Sequence, residues 1–132
     1  ILAQAAGIGN EAAVKSFLDG GGLVDATCEA PMPDGTVLSG TTMLMAASGP
    51  GHASIVELLL THGASLDLQN SQGATALMSA AGKGHPAIVR RLLRAGAQMG
   101  LRDISGKTAL QFAQAKGHDE CVRAFCEHFT RR

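Results

Sequence analysis

Residues 73–97 read GATALMSAAGKGHPAIVRRLLRAGA, and this stretch determines the architecture. Thr75 carries a side chain suited to a helix N-cap, and an alanine-rich segment follows it. A Gly-His pair at 84–85 interrupts that segment, and Pro86 is well placed for the first turn of a second helix. Gly96 is a typical helix stop. The second segment has an apolar stripe at helical spacing, formed by Ile88, Val89, Leu92 and Leu93. The stretch predicts a short helix, a break and a longer helix.

The same pattern recurs at a constant interval, that from Gly73 to Gly106. The turn glycines with this spacing are Gly40, Gly73 and Gly106, and the Gly-His pairs are Gly51-His52, Gly84-His85 and Gly117-His118. A further copy lies near the start of the chain, two such periods and a short insertion before the copy in 73–97. Its matching residues are Leu2, Gly9, Val14, Phe17, Leu18 and Gly21. A helix pair of this size cannot bury its own apolar face, so the copies are expected to stack.

The combined pattern resembles the ankyrin-repeat family. The residues that carry the resemblance are Gly73 to Leu77, Ala80-Ala81, Gly84-His85, Ile88-Val89, Leu92-Leu93 and Gly96-Ala97, with their counterparts one period away. The resemblance implies an all-α repeat solenoid, a single domain over 1–132 in which β-hairpin loops join four helix-turn-helix repeats, at approximately 1–28, 38–69, 70–102 and 103–132. The family usually has Pro and then Leu-His after the Thr, but here the pairs are Met43/Met45, Ala76/Met78 and Ala109/Gln111.

An insertion separates the first two copies. The interval from Gly21 to Gly40 is nearly twice as long as the equivalent intervals from Gly63 to Gly73 and from Gly96 to Gly106. The stretch 31–35, PMPDG, has turn chemistry between two segments with strand character. We predict an extended hairpin over approximately 28–37. Whether it binds a partner or is a tolerated insertion stays open, because lengthening a loop costs little entropy.

The chain ends carry two further expectations. The sequence begins at Ile1 without a Met or a secretory leader, which is typical of a trimmed domain or of one with an upstream segment covering Leu2 and Ala3. Phe129 stands where the family has its glycine stop, so the last helix is expected to continue towards Arg131 and to end the array.

Composition excludes several classes of protein. The chain has 132 residues, of which 45% are hydrophobic and 17% charged, so disorder is excluded as its main state. No apolar run approaches the roughly 20 residues of a membrane span. Three cysteines without a CxxC pair favour a reducing, intracellular setting, cytoplasmic or nuclear. The formal net charge is zero, but residues 1–82 carry seven acidic and one basic residue, and residues 83–132 carry four acidic and ten basic ones.

The sequence offers no catalytic or metal-binding constellation. Histidines in stacked repeats are separated by about 8–10 Å, too far for His52, His85 and His118 to share one metal ion, so a structural role in the helix break is expected. The stretch 106–108, GKT, lacks the first glycine of a phosphate-binding loop. No nucleophile, base and orienting group can be assembled from neighbouring positions. We therefore expect neither an enzyme nor a cofactor or metal.

The resemblance implies a protein partner bound by the concave face and the hairpin tips. The matching positions are Ile8, Leu38, Ser39, Thr41, Pro50, Ser71, Gln72, Ala74, Lys83, Ile104, Ser105, Lys107 and Lys116. The basic second half predicts acidic groups on the partner towards repeats three and four. Nucleic acid is not expected, because no aromatic platform alternates with these charges. Two alternatives are an accessory module of a larger enzyme, channel or ubiquitin-pathway protein, and a standalone inhibitor.

Overall fold

The computed structural model describes residues 8–31 and 33–130. In chain order its elements are α1 (Glu11–Asp19), β1 (Thr27–Pro31), β2 (Val37–Thr42), α2 (Met43–Ser48), α3 (Ala53–Thr61), α4 (Ala76–Lys83), α5 (Pro86–Ala95), α6 (Ala109–Ala115) and α7 (Asp119–Thr130). The expectations for Leu2, Ala3 and Arg131 lie outside the described residues. The last helix does run past Phe129, as predicted.

The helices form two stacked rows. Helices α2, α4 and α6 make the inner row, and α1, α3, α5 and α7 make the outer row; each inner helix packs on the outer helix that follows it and on its neighbours in the row. Ala47, Ala80 and Ala113 recur at the repeat period on the inner helices and are fully buried. Their small side chains let the backbones approach closely. Leu92 of the outer row is also fully buried, in the core shared by both rows.

Threonine caps begin all three inner helices, including the cap predicted at Thr75. The hydroxyls of Thr42, Thr75 and Thr108 accept hydrogen bonds from the backbone N–H groups of Met45, Met78 and Gln111. In α6, Gln111 Oε1 also accepts from the Thr108 N–H at 2.9 Å and completes a capping box. The methionines that replace the family's histidine are buried instead. Where the family has its histidine, Met45 and Met78 therefore pack in the core, and Gln111 forms a capping hydrogen bond instead.

The Gly-His breaks connect neighbouring units. His85 Nε2 lies 2.8 Å from the carbonyl oxygen of Gly49, and His118 Nε2 lies 3.1 Å from that of Gly82. Each imidazole therefore bonds to the end of the preceding inner helix. The structural role predicted for these histidines is confirmed at both positions.

The insertion folds as an antiparallel hairpin, as predicted. Thr27 pairs with Thr42 and Pro31 with Val37, with an irregularity between Cys28 and Ala30. At the tip, Asp34 Oδ1 accepts hydrogen bonds from Thr36 Oγ1 at 2.6 Å and from the Thr36 N–H at 2.9 Å. These hydrogen bonds lower the pKa of the Asp34 carboxyl. The strands reach beyond 28–37, because Thr42 both ends β2 and caps α2.

The later connections differ from the expected β-hairpins. Residues 62–75 and 97–108 contain turns but no strand. The turn residue Asn70 donates its N–H to the Ala74 carbonyl at 3.0 Å, and Asp103 donates to the Lys107 carbonyl at 3.0 Å. Both connections lack the inserted residues, so they are too short to form two paired strands like β1 and β2.

Successive loops are hydrogen-bonded to one another. The Ser71 N–H donates to the Ser39 carbonyl at 2.8 Å, and the Ile104 N–H donates to the Gln72 carbonyl at 3.0 Å. A second set of links uses carboxylates: the Ser65 N–H donates to Asp25 Oδ1 and the Gln98 N–H to Asp67 Oδ1, both at 2.9 Å. The loops are thereby held in register with the helices.

Candidate functional site

All the residues predicted to contact a partner are among those the structure describes. Ile8 precedes α1, and the others lie on β2, in the loops or at the C-terminal ends of the inner helices. The exposed members are Ile8, Pro50, Ser71, Gln72, Lys83, Ile104, Ser105, Lys107 and Lys116, and the half-buried members are Leu38, Ser39, Thr41 and Ala74. We call the surface formed by β2, the loops 62–75 and 97–108 and the exposed side of α2, α4 and α6 the inner face.

Three of the predicted serines already have partners within the fold. Ser71 Oγ accepts from the Ser39 N–H at 2.9 Å, and Ser105 Oγ donates to Asp103 Oδ1 at 2.6 Å. These groups shape the loops and are less available to a partner. The exposed cations, Gln72 and Ile104 remain the strongest contact candidates.

A groove on the inner face, between α4 and α6, gathers four of the predicted residues. Gln72, Ala74, Lys83 and Lys116 line a volume of about 390 Å³. The other lining residues, which the sequence reasoning missed, are Met78, Ser79, Gly82 and Phe112.

Phe112 is the main omission of the sequence reasoning. It occupies the inner-helix position held by Ala46 and Ser79 in the two preceding copies, and it is half-buried. The chain's other phenylalanines are on the outer helices α1 and α7: Phe17, Phe125 and Phe129. Comparing side-chain size down the repeat column would have singled out this position.

The exposed lysines of the inner face, Lys83, Lys107 and Lys116, form no ion pair in the described part of the chain. Lys107 Nζ instead lies 6.0 Å from the centre of the Phe112 ring, at the outer limit of a cation–π contact.

Three of the arginines of the outer row are paired with glutamates. Arg90 Nε lies 3.5 Å from Glu127 Oε2, and Arg91 is bonded to Glu57. Arg123 lies 3.4 Å from Glu120. Three grooves of about 200, 340 and 460 Å³ follow the outer row, and Arg94 lines all of them. Glutamates therefore neutralise most of the arginine charge on this side.

An acidic turn holds the loop that carries Lys107. Asp103 Oδ1 accepts from the N–H groups of Ser105 at 2.9 Å and Lys107 at 3.0 Å. Partial burial tends to raise the pKa of Asp103, but the Ser105 and Lys107 hydrogen bonds and the Lys107 charge together lower it. Asn70 makes the equivalent bonds one repeat earlier, to the Gln72 and Ala74 N–H groups at 3.0 Å.

Cysteines and histidines offer no assembled ligand set in the described part of the chain. There, no three His, Cys, Asp or Glu side chains converge in a way that could hold a metal ion. Cys28, Cys121 and Cys126 are free thiols. Burial raises the pKa of the Cys121 thiol, in keeping with a packing role. The expected absence of metals and cofactors stays a prediction.

These features define the class of protein. Paired helices, a regular sequence period and linked loops together make a helix-turn-helix repeat solenoid. A family model described as ankyrin repeats in three copies matches residues 2–103, and the chain belongs to the ankyrin-repeat family. No curated protein matches the chain in sequence. Among the described residues, none of the helices is long and apolar enough to cross a membrane.

Proposed function

We propose that this chain is a non-catalytic protein-interaction module, a single domain over 1–132 that binds its partner through the inner face. Ankyrin repeats are generally protein-protein interaction modules. The candidate contacts are the positions predicted above, from Ile8 to Lys116, and they include three lysines that form no ion pair among the described residues.

The observation that carries the proposal is the contrast between the two sides of the stack. Arg90 and Arg91 on the outer row already have glutamate partners, whereas Lys83, Lys107 and Lys116 have none among the described residues. Unpaired cations clustered on one face attract acidic groups, steer association and fix orientation. We infer a protein partner whose acidic surface faces the third and fourth repeats.

The proposal includes a fourth repeat beyond the matched 2–103. Helices α6 and α7 continue the inner and outer rows, and Thr108 repeats the cap of Thr75. The stack then contains repeats at approximately 1–28, 38–69, 70–102 and 103–132, with an extended hairpin inserted at approximately 28–37. Free thiols at all three cysteines support an intracellular setting, cytoplasmic or nuclear.

Site-specific photo-crosslinking in a cell lysate tests this proposal. One variant carries a photoreactive residue at Gln72, exposed on the inner face, and a matched variant carries it at Ala87, exposed on the outer row. Mass spectrometry identifies the captured protein. We expect a specific adduct from the Gln72 position and none of that protein from Ala87.

Adducts formed from Ala87 alone would overturn the assignment of the inner face. Capture of the same proteins in equal yield from both positions would also overturn it, because that result describes non-specific contact. Circular dichroism of both variants checks that the helices are retained, which makes a negative result from Gln72 interpretable.

A further inference from the structure

We propose that the groove between α4 and α6 is an anchor pocket for one aromatic or large aliphatic side chain of an acidic, extended peptide segment. The inference rests on the proposed function and narrows it, from a face that binds protein to a pocket with a defined ligand chemistry.

The floor of the groove is apolar. Met78 is buried, with 4% of its surface exposed, and Phe112 is half-buried beside it. Ala74 and Gly82 add only small groups to the walls. A thioether and an aromatic ring form a favourable surface for a further aromatic or branched side chain. The groove therefore suits an apolar group.

The size of the groove limits what it can hold. Its volume of about 390 Å³ lies at the lower end of the range for ligand sites, roughly 300–1,000 Å³. Such a volume accommodates one inserted side chain with its neighbouring backbone. Interfaces commonly concentrate their binding energy in such central anchors.

The rim of the groove is basic. Lys83 and Lys116 line it, Lys107 lies over the Phe112 ring, and none of the lining residues is acidic. In a bound peptide, the residues on either side of the inserted side chain would thus lie near lysine ammonium groups. No Asp or Glu of this chain lines the groove to compete for those groups. This charge complementarity favours Asp or Glu on both sides of the anchor.

The same chemistry favours a peptide over single-stranded RNA. RNA-binding surfaces stack successive bases on several aromatic side chains. Phe112 is the only aromatic residue lining this groove. A nucleobase would have no second stacking partner in the lining.

Titrations of the whole chain followed by ¹⁵N NMR test the inference. The probes are three acetylated and amidated peptides, Glu-Asp-Phe-Asp-Glu, Glu-Asp-Gly-Asp-Glu and Lys-Lys-Phe-Lys-Lys, together with hexauridylate. We expect the acidic phenylalanine peptide to shift the amide signals of Gly82, Lys83 and Phe112. It should bind at least about tenfold more tightly than the glycine peptide, since it buries one more aromatic side chain.

Gly82→Leu removes the groove while keeping the helix. Gly82 lies inside α4 without a left-handed backbone, and an added Cβ would contact only Phe112 Cβ, at 3.8 Å. The leucine side chain fits the helix and occupies the groove. The matched control is Gly49→Leu, one repeat earlier, where the backbone is right-handed and an added Cβ would lie 3.9 Å from the Met45 carbonyl oxygen. We expect the first variant to lose peptide binding and the control to retain it.

Several results would overturn the inference. They are equal binding of the glycine and phenylalanine peptides, unchanged binding by a folded Gly82→Leu variant, or tighter binding of hexauridylate with the same signal shifts. Binding of the lysine peptide as tight as that of the acidic phenylalanine peptide would overturn the role of the basic rim. Crosslinking from Gln72 separates these outcomes from a failure of the proposed function. If Gly82→Leu still captures the partner through Gln72, the inner face stands as the binding surface and the anchor pocket is wrong.

Discussion

Glycines at the helix breaks determine how closely neighbouring units approach. A Cβ added to Gly51 would lie 2.6 Å from the His85 ring, and one added to Gly84 would lie 2.8 Å from the His118 ring. Both glycines also have a positive φ, +91° and +79°. The Gly-His pair thus serves two copies at once, because the glycine of one copy makes room for the histidine of the next.

Gly51→Ala and Gly63→Ala separate these two roles. Gly63 has a φ of +81°, but an added Cβ would have nothing within 4 Å. We expect Gly63→Ala to lower the free energy of unfolding by about 1–2 kcal/mol, the cost of a left-handed alanine. Gly51→Ala should cost about 1–3 kcal/mol more, because the His85 ring must move and its bond to the Gly49 carbonyl is lost. Chemical denaturation measures both, and equal losses would refute the contact.

Asp103 gives the loop around Lys107 a specific response to acid. Its pKa is lowered in the folded chain, so its stabilisation is complete above the unfolded value of about 3.9 and is lost as the pH falls through the folded value. Asp103→Asn should keep the turn, because Asn70 makes the same bonds. We expect the free energy of unfolding of this variant to differ little from that of the original chain at neutral pH. Between pH 7 and about 3, the variant should lose less of that free energy than the original chain does. An acid loss identical to that of the original chain would exclude this role.

The inserted hairpin is expected to contribute little to the stability of the stacked helices. The tip from Pro31 to Val37 is exposed where it is described, whereas Ser39 and Thr42 bond to the loop of the next unit and to α2. Two-stranded hairpins contribute little stability by themselves. The parts that hold the array lie at the base of the hairpin.

Replacing Cys28 to Val37 by a short turn should leave the helices intact. We expect the free energy of unfolding to change by less than about 1 kcal/mol, because loop entropy depends weakly on length and the Ser39 and Thr42 bonds remain. Circular dichroism with denaturation tests this, and a loss of several kcal/mol would show that the hairpin supports the stack. The partner affinity of the shortened chain then distinguishes a binding element from a tolerated insertion.

Helices were more predictable than loops because their signals are local. Thr75, Pro86 and Gly96 each mark a boundary through their own backbone chemistry, and the structure places caps, first turn and stop at these residues. The absence of strands in 97–108 depends on how few residues remain between packed helices. The groove at Phe112 depends on side chains from two helices and a loop meeting across repeats, which the repeat period alone does not specify.

Charge in the whole molecule is arranged differently from what the sequence suggested. The sequence places ten basic and four acidic residues in 83–132, which suggested a basic second half. In the structure, Arg90, Arg91 and Arg123 are paired with glutamates, and Arg94 has no ion-pair partner among residues 8–31 and 33–130. The outer row is largely neutralised as a result. On the inner face, Lys83, Lys107 and Lys116 form no ion pair within those described residues.

The binding role of the inner face is tested by the association rate of the partner captured through Gln72. One variant changes Lys83, Lys107 and Lys116 to Gln, and its control changes Arg90, Arg91 and Arg94 to Gln, so each loses three positive charges. At low salt we expect the lysine variant to associate at least about tenfold more slowly and the arginine variant to differ little, because electrostatic steering depends mainly on the charges that face the partner. The difference should shrink as added salt shortens the screening length towards about 8 Å. Slower association of the arginine variant alone, with both variants folded, would place the partner on the outer row instead.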